Sequence, residues 1–148
     1  MTSPENSPIE YPDEAGYPDG TGTLTEDQTT LIAEVEDEHA LALDFYLVDD
    51  EENGVYEAVS GDTELGGLTY SVASPTRLVL LAVSVFPEYR NQGVATELTR
   101  RALDSVRAKG KTATILCPIV RAFIDRSPEY ADLVDATRPG VPGRPANG

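Results

Sequence analysis

The stretch LVLLAVSV, residues 78–85, constrains the fold most strongly because it contains no charged side chain. A short apolar run of this kind is typical of a central β-strand covered on both faces. It leads into the polar, glycine-containing stretch YRNQGVATEL, residues 89–98. Apolar residues then recur at helical spacing until Gly110, which predicts a helix over about 93–109. The centre of the chain is therefore expected to be a strand, a tight turn and a helix.

Shorter segments complete the predicted fold. Thr25 and Gln28 are spaced as a capping box, which predicts a helix over about 26–38. LALDFYLV alternates as a half-buried strand does, and VYEAVS and LGGLTYSVA predict two strands joined by a tight turn. TATILC is a further strand, and two short helices follow, the second with a Ser127 cap and Pro128 at its first position. This order predicts an α/β (α+β) domain in three layers.

Composition divides the chain into four regions. Residues 1–23 hold four prolines and few large aliphatic side chains, so we expect a disordered acidic tail. Residues 24–46, a helix and a strand, form an N-terminal extension, and residues 47–135 form the main domain. The proline- and glycine-rich residues 136–148 are expected to be a flexible tail.

The net charge of -15 is distributed unevenly. No lysine or arginine precedes Arg77, whereas 19 acidic side chains do. Nucleic acid is therefore not expected as a partner, because the acidic half would repel phosphates. The basic second half could still hold a small anionic ligand.

The cysteine content and the apolar runs indicate a compartment. The single cysteine, Cys117, excludes an internal disulfide, and no run of Cys and His has metal-ligand spacing, so we expect no metal. The first residues lack the pattern of a signal peptide, and no run approaches the roughly 18 apolar residues of a membrane span. We therefore expect a cytoplasmic protein that does not bind membranes.

The turn after the apolar strand has the outline of an anion site. The first N–H groups of a helix lack partners within it, and the helix dipole adds partial positive charge there. Gly93 lets a ligand approach the backbone closely, and the short Ala95 side chain leaves room beside it. The residues alone leave two interpretations open, a phosphate cradle or only the turn that starts a helix.

The pattern Arg90-x-x-Gly93-x-Ala95 resembles the Arg/Gln-x-x-Gly-x-Gly/Ala signature of the GNAT superfamily of acetyltransferases. More closely, residues 47–134 resemble a small, minimal GNAT-like family with the motifs V-P-x-R-x-x-G-x-A, C-P and P-E-Y. The resemblance implies a GNAT-like mixed, mostly antiparallel sheet with helices on both faces. It also implies that two central strands, residues 78–85 and 112–117, splay apart to admit acetyl-coenzyme A.

Carried over residue by residue, the resemblance implies a binding site for the coenzyme. The loop would surround the pyrophosphate with main-chain N–H groups, and the end of the apolar strand would contact the pantetheine arm. The implied coenzyme-binding residues are Val83, Val85, Arg90, Asn91, Gln92, Gly93, Val94, Ala95, Thr96 and Arg121.

Two residues are candidates for a catalytic role. Cys117 lies at the end of the second splayed strand, where the following helix and Arg121 could lower its pKa and make it an acyl-carrying nucleophile. A buried structural thiol or a wall of the coenzyme site is the alternative. Tyr130 lies where GNAT enzymes often keep a tyrosine acid, and packing under the last helix is the alternative.

One departure from the family bears on function. The family commonly has a His-Thr-Glu stretch before the loop, where this chain has Ala82, Val83 and Ser84. The leading hypothesis is direct acetyl transfer from acetyl-coenzyme A to an amine of unknown identity, in a small molecule or a protein. The alternative is a non-catalytic acyl-coenzyme A-binding or sensing module. We expect a monomer or a weak dimer.

The acidic extension allows a further hypothesis. Its carboxylates could fold onto the basic half and compete with the coenzyme phosphates. A solubilising tail, or one that attracts cationic amines, is the alternative.

Overall fold

The computed structural model describes residues 26–37 and 44–141. His39, Leu41 and Leu43, which belong to the predicted extension, lie outside the described residues. The helices are α1 (Glu26–Asp37), α2 (Val94–Ala108) and α3 (Pro118–Arg126), and the strands are β1 (Tyr46–Asp50), β2 (Val55–Ser60), β3 (Thr63–Ser74), β4 (Arg77–Val85) and β5 (Thr112–Ile115). Two 3-10 helices span Pro87–Tyr89 and Pro128–Leu133.

The five strands form one sheet in the order β1-β2-β3-β4-β5. The first three pairings are antiparallel, and β4 and β5 are parallel. A parallel pair needs a crossover connection, which α2 supplies here. The predicted GNAT-like class, a mixed and mostly antiparallel sheet with packed helices, is confirmed.

The two central strands separate partway along their length, as predicted. They pair from Arg77 opposite Thr112 to Leu80 opposite Ile115. The last hydrogen bond between the two segments is donated by Leu116 N to Leu80 O at 3.0 Å. Beyond this point β4 continues to Val85 against β3, whereas the other chain turns into α3. The separation opens the sheet on the side where the loop before α2 begins.

The core lies between α2 and one face of the sheet. Tyr56 and Tyr70 lie on this face with their rings 4.9 Å apart, and the Tyr56 hydroxyl hydrogen-bonds Ser105 of α2 at 3.1 Å. On β4, Leu80 is fully buried, whereas Val79 on the opposite face is only partly buried. The prediction that β4 is covered on both faces is therefore wrong: its opposite face is only partly covered.

Helix α1 forms where the capping box and the apolar spacing predicted it. Leu31, Ile32 and Val35 are buried in the common core, and the helix packs mainly against α3 and also contacts α2. A helix of 12 residues is marginal alone in water, so these tertiary contacts stabilise it.

The C-terminal part differs from the sequence-based prediction in two ways. The last predicted α-helix is a 3-10 helix, Pro128–Leu133, and the Ser127 side chain makes no capping hydrogen bond. Part of the predicted flexible tail is paired, because Ile115 donates to Pro139 O at 2.9 Å and accepts from Val141 N at 2.7 Å. The chain thus returns along the outer edge of β5.

Candidate functional site

The loop between β4 and α2 has a backbone shape that few residue types adopt. Asn91 has φ 61° and Gly93 has φ 84°, both in the left-handed region. Asparagine tolerates this region better than most residues, and glycine adopts it without steric cost. Gly93 also directly precedes α2 and has no side chain to cap it. The first N–H groups of α2 are therefore available to an acceptor from elsewhere in the chain.

Glu34 of α1 supplies that acceptor. One oxygen of its carboxylate accepts a hydrogen bond from Asn91 N at 2.8 Å, and the other accepts from Ala95 N at 3.0 Å. The Thr96 hydroxyl donates to the main-chain oxygen of Glu34 at 3.4 Å. Glu34 is 0% exposed. The loop therefore holds an anionic group through its backbone, as an anion site does.

The two long polar side chains of the loop fix its shape. Arg90 Nε donates to the main-chain oxygen of Val85 at 3.0 Å, and Gln92 Nε2 donates to that of Glu88 at 2.9 Å. Val94 is fully buried in the core at the start of α2. The loop is thus held at both ends, and the Val85 carbonyl is already hydrogen-bonded.

Cys117 lies where the two central strands have separated. Its thiol is buried, and burial raises its pKa, against the smaller lowering effect of the N–H groups of Val120, Ile119 and Val83. The N–H groups at the start of α3 do lower the pKa, but burial has the larger effect, so the structure favours the alternative of a buried thiol or a wall of the coenzyme site. A catalytic role of Cys117 stays a prediction. Cys117 is a neutral thiol close to the Val83 backbone.

The other two predicted residues have partners of their own. Arg121 pairs with Asp125 on the next turn of α3 at 3.2 Å. The Tyr130 hydroxyl donates to Asp104 of α2 at 2.8 Å, and its ring packs 5.7 Å from Phe123. Burial first, and the hydrogen bond to Asp104 second, raise the pKa of Tyr130 to about 12.

The structure therefore gathers some of the predicted residues into two places, whereas Arg121 and Tyr130 lie apart from both. Asn91, Ala95 and Thr96 surround Glu34, and Val83 meets Cys117 at the strand separation. The three residues that replace the family's polar stretch give no ionisable group: Ala82 and Val83 are buried, and Ser84 is partly buried.

Sequence reasoning missed Glu34. A signal was present, because Glu34 follows Leu31 by three residues and so falls on the apolar face of the predicted helix. A carboxylate on a buried helix face needs hydrogen-bond donors, and the donors lie in the loop.

A second polar cluster lies at the other end of α2. Lys109 Nζ contacts the Asp49 carboxylate at 2.6 Å, and the Tyr70 hydroxyl donates to the same carboxylate at 2.7 Å. Lys109 also lies 5.5 Å from the centre of the Tyr56 ring. Because α2 has 15 residues, this cluster is about 20 Å from the loop. Lys109 is therefore a structural residue and not a contact of the loop.

The described residues contain neither a cluster of metal ligands nor a membrane-spanning helix. Within residues 26–37 and 44–141, no group of three or more His, Cys, Asp or Glu side chains could hold a metal ion. No helix in the same part of the chain is long and apolar enough to cross a membrane.

Comparison with known proteins identifies a family match. The model of a family described as "GCN5-related N-acetyl-transferase" matches residues 55–133. No curated protein matches the chain. Among solved structures, the chain is similar to the crystal structure of Ard1 from Thermoplasma volcanium, with 18% identity and a TM-score of 0.39. That similarity covers 57% of this chain and 65% of the Ard1 chain, which is less than two thirds of its length.

The matched range includes the loop, the strand separation and the Cys117 thiol. It begins after β1, so α1 and Glu34 lie outside it. The group that occupies the loop thus comes from a part of the chain that the family match does not cover.

Proposed function

Because the chain belongs to the GCN5-related N-acetyltransferase family, we propose that it transfers the acetyl group of acetyl-coenzyme A directly to an amine. The observation that carries this proposal is the loop of Asn91 to Thr96, whose backbone donors hold a carboxylate. Donors that hold one anionic group can hold another, and the coenzyme pyrophosphate is the anion that the family binds.

The pyrophosphate would accept from the N–H groups of Asn91 and Ala95. Ala95 lies in the first turn of a 15-residue helix and Asn91 in the loop just before it, and the helix dipole favours negative charge at that end. The left-handed Gly93 keeps the approach free of a side chain.

The pantetheine arm and the thioester would enter between β4 and β5, beyond the last hydrogen bond at Leu80. There, Val83 lies next to Cys117 and offers main-chain polar groups. The Val85 carbonyl already accepts from Arg90, which leaves Val83 as the better contact. Cys117 would form a wall of this channel, since a neutral buried thiol is a poor nucleophile.

In the proposed reaction, the neutral amine attacks the thioester carbonyl carbon. A C–N bond forms, the C–S bond breaks, the amine loses a proton, and the coenzyme leaves as a thiolate that takes up a proton. An N–H group near the carbonyl oxygen would stabilise the negative charge that develops there. Because the chain has Ala82 and Val83 where the family has polar residues, water is the expected carrier of the amine proton.

The coenzyme-binding step is tested by calorimetric titration of acetyl-coenzyme A into wild type, Gly93→Glu and Gly110→Glu. Both glycines have positive φ, at 84° and 70°, so both variants carry the same backbone strain and charge change. Only Gly93 lies at the loop, whereas Gly110 follows α2 at its other end and has open space around it. We expect Gly93→Glu to abolish binding and Gly110→Glu to leave it close to wild type. Equal binding by both variants, or none by wild type and both variants, would contradict the assignment.

A non-catalytic acyl-coenzyme A-binding module is the second candidate. It is favoured by the apolar Ala82 and Val83 and by the neutral Cys117. Release of free thiol from acetyl-coenzyme A, measured with a broad panel of amines, separates the candidates. Steady amine-dependent release above the buffer rate supports the transferase, and binding without release supports the module.

A further inference from the structure

The position of Glu34 has a consequence for coenzyme binding. We propose that α1 is a built-in competitor of the coenzyme: its Glu34 carboxylate occupies the pyrophosphate position, so the coenzyme binds only after α1 has moved away. This inference rests on the proposed function, because it requires that the loop is the pyrophosphate site.

The hydrogen bonds make the two occupants mutually exclusive. The N–H groups of Asn91 and Ala95 each donate to one oxygen of the same carboxylate. A single N–H group does not hold two anions at full strength, and like charges repel at this distance. Glu34 is also 0% exposed and Ala95 is buried, so α1 lies directly against the start of α2. A pyrophosphate therefore cannot reach these N–H groups while α1 is in place.

The chemistry of the contact goes beyond helix packing. Among the residues whose burial the structure describes, Glu34 is the only aspartate, glutamate, lysine or arginine that is buried. Burying a carboxylate costs free energy unless hydrogen bonds compensate, and an apolar residue would serve packing alone better. A carboxylate at this position is explained by the donors that it meets, which are those proposed for the pyrophosphate.

Helix α1 has properties that allow it to detach from the rest of the domain. It has only 12 residues, and it holds five acidic and no basic side chains. Its apolar contacts are made by Leu31, Ile32 and Val35 on one face. The chain from β2 to the Pro128–Leu133 helix contains four of the five strands without α1, and the family match covers that same part. Release of α1 would therefore uncover the loop and leave the sheet intact.

The test measures the affinity of the full-length chain for acetyl-coenzyme A by calorimetry. Glu34→Gln keeps the size of the side chain but removes its charge, and it turns one of its acceptors into a donor that faces an N–H group. Glu26→Gln makes the same change on the same helix at an exposed position, and serves as the matched control. Leu31→Ala weakens the packing of α1 without touching either the carboxylate or the loop.

We expect Glu34→Gln to bind the coenzyme about tenfold more tightly or better, which corresponds to about 1.4 kcal/mol, because the coenzyme then no longer displaces a charged acceptor from two N–H groups. Leu31→Ala should shift the affinity in the same direction, and Glu26→Gln should not shift it. Hydrogen exchange should show the amides of residues 26–37 becoming less protected when the coenzyme binds to wild type.

The other outcomes are distinguishable. Equal affinity of wild type, Glu34→Gln and Leu31→Ala, with the amides of α1 still protected in the complex, would overturn the competitor and leave the coenzyme site intact. No binding by any of the variants, with all of them folded by their thermal transitions, would remove the proposed function and the competitor with it.

Discussion

Tyr130 donates its phenolic hydrogen bond to Asp104 at 2.8 Å, and this contact joins the Pro128–Leu133 helix to the middle of α2. The side chain of Arg107 lies over the same ring, 5.7 Å from its centre, and pairs with Asp132 at 2.9 Å. Tyr130 therefore positions the end of the domain, and its proton is already donated to a carboxylate.

Replacing Tyr130 by phenylalanine is expected to lower the free energy of unfolding by about 1–2 kcal/mol, because the Asp104 carboxylate loses a donor in a partly buried position. Turnover per folded molecule should remain within a few-fold of wild type. Urea unfolding and a thiol-release assay measure the two effects. Tyr46→Phe is the control, since its hydrogen bond to Gly61 O is exposed and should matter little. A fall in kcat of a hundredfold with stability unchanged would instead identify Tyr130 as the acid for the leaving thiolate.

Cys117 should resist thiol reagents in the native protein. Burial raises its pKa, so the thiolate that reacts with such reagents is scarce near neutral pH. Because Cys117 is the only cysteine, mass spectrometry after labelling reports on this residue alone. We expect no label in buffer and complete labelling in denaturant.

The Cys117→Ala variant extends that prediction to the reaction. If the thiol is a wall, the variant keeps its turnover within several-fold of wild type with every amine that wild type acetylates. Intact mass measured after incubation with acetyl-coenzyme A alone should show no acetyl adduct on wild type. A stable adduct, together with loss of turnover in the variant, would make Cys117 an acyl carrier.

Asp135 should make stability depend on pH in the acidic range. Hydrogen bonds from the Thr137 side chain and main chain, and from Arg138 N, lower the pKa of Asp135 from 3.8 to about 2. Since the folded-state pKa lies below the unfolded value, the contribution of Asp135 is complete above about pH 4 and is lost as the pH falls towards 2. Chemical unfolding midpoints between pH 6 and 2 measure this loss.

The matched variants are Asp135→Asn and Asp62→Asn. The first removes the carboxylate that accepts these hydrogen bonds, and the second makes the same change in an exposed turn. We expect wild type to be more stable than Asp135→Asn above pH 4 and the difference to shrink below it. A difference that stays constant down to pH 2 would contradict the assigned role.

The sequence predicted the elements of the fold because their signals are local. Alternation over VYEAVS and LGGLTYSVA and the helical spacing after Gly93 each span a few residues, and they correspond to β2, β3 and α2. The register irregularity between Ala58 and Val59 was not predictable, since it depends on how neighbouring strands fit together. The 3-10 conformation of the last helix, which docks on α2 through Tyr130, was likewise not predictable from the local pattern.

The site was predicted only in part, because its central contact is not local. The loop was recognisable from Arg90, Gly93 and Ala95, but Glu34 is 57 residues from Asn91 along the chain. No pattern within α1 states which donors its carboxylate meets. For Cys117, the sequence showed a helix start and an arginine nearby, whereas the degree of burial, which decides the pKa, exists only in the fold.

Replacing Thr99 is expected to raise the stability of the fold, whereas replacing Tyr130 or Asp135 is expected to lower it. It is fully buried in α2, and its hydroxyl has no hydrogen-bond partner among the described residues. Burying an unpaired hydroxyl costs roughly 1–3 kcal/mol, so Thr99→Val, which has nearly the same shape and helix propensity, should raise the free energy of unfolding by about 1 kcal/mol. Thr114→Val makes the same chemical change where the buried hydroxyl accepts from Arg77 at 2.8 Å and donates to Arg138 O at 2.6 Å, and it should lower stability instead. Urea unfolding of both variants measures the two effects, and a loss of stability in Thr99→Val as large as in Thr114→Val would show that the Thr99 hydroxyl has a partner in solution.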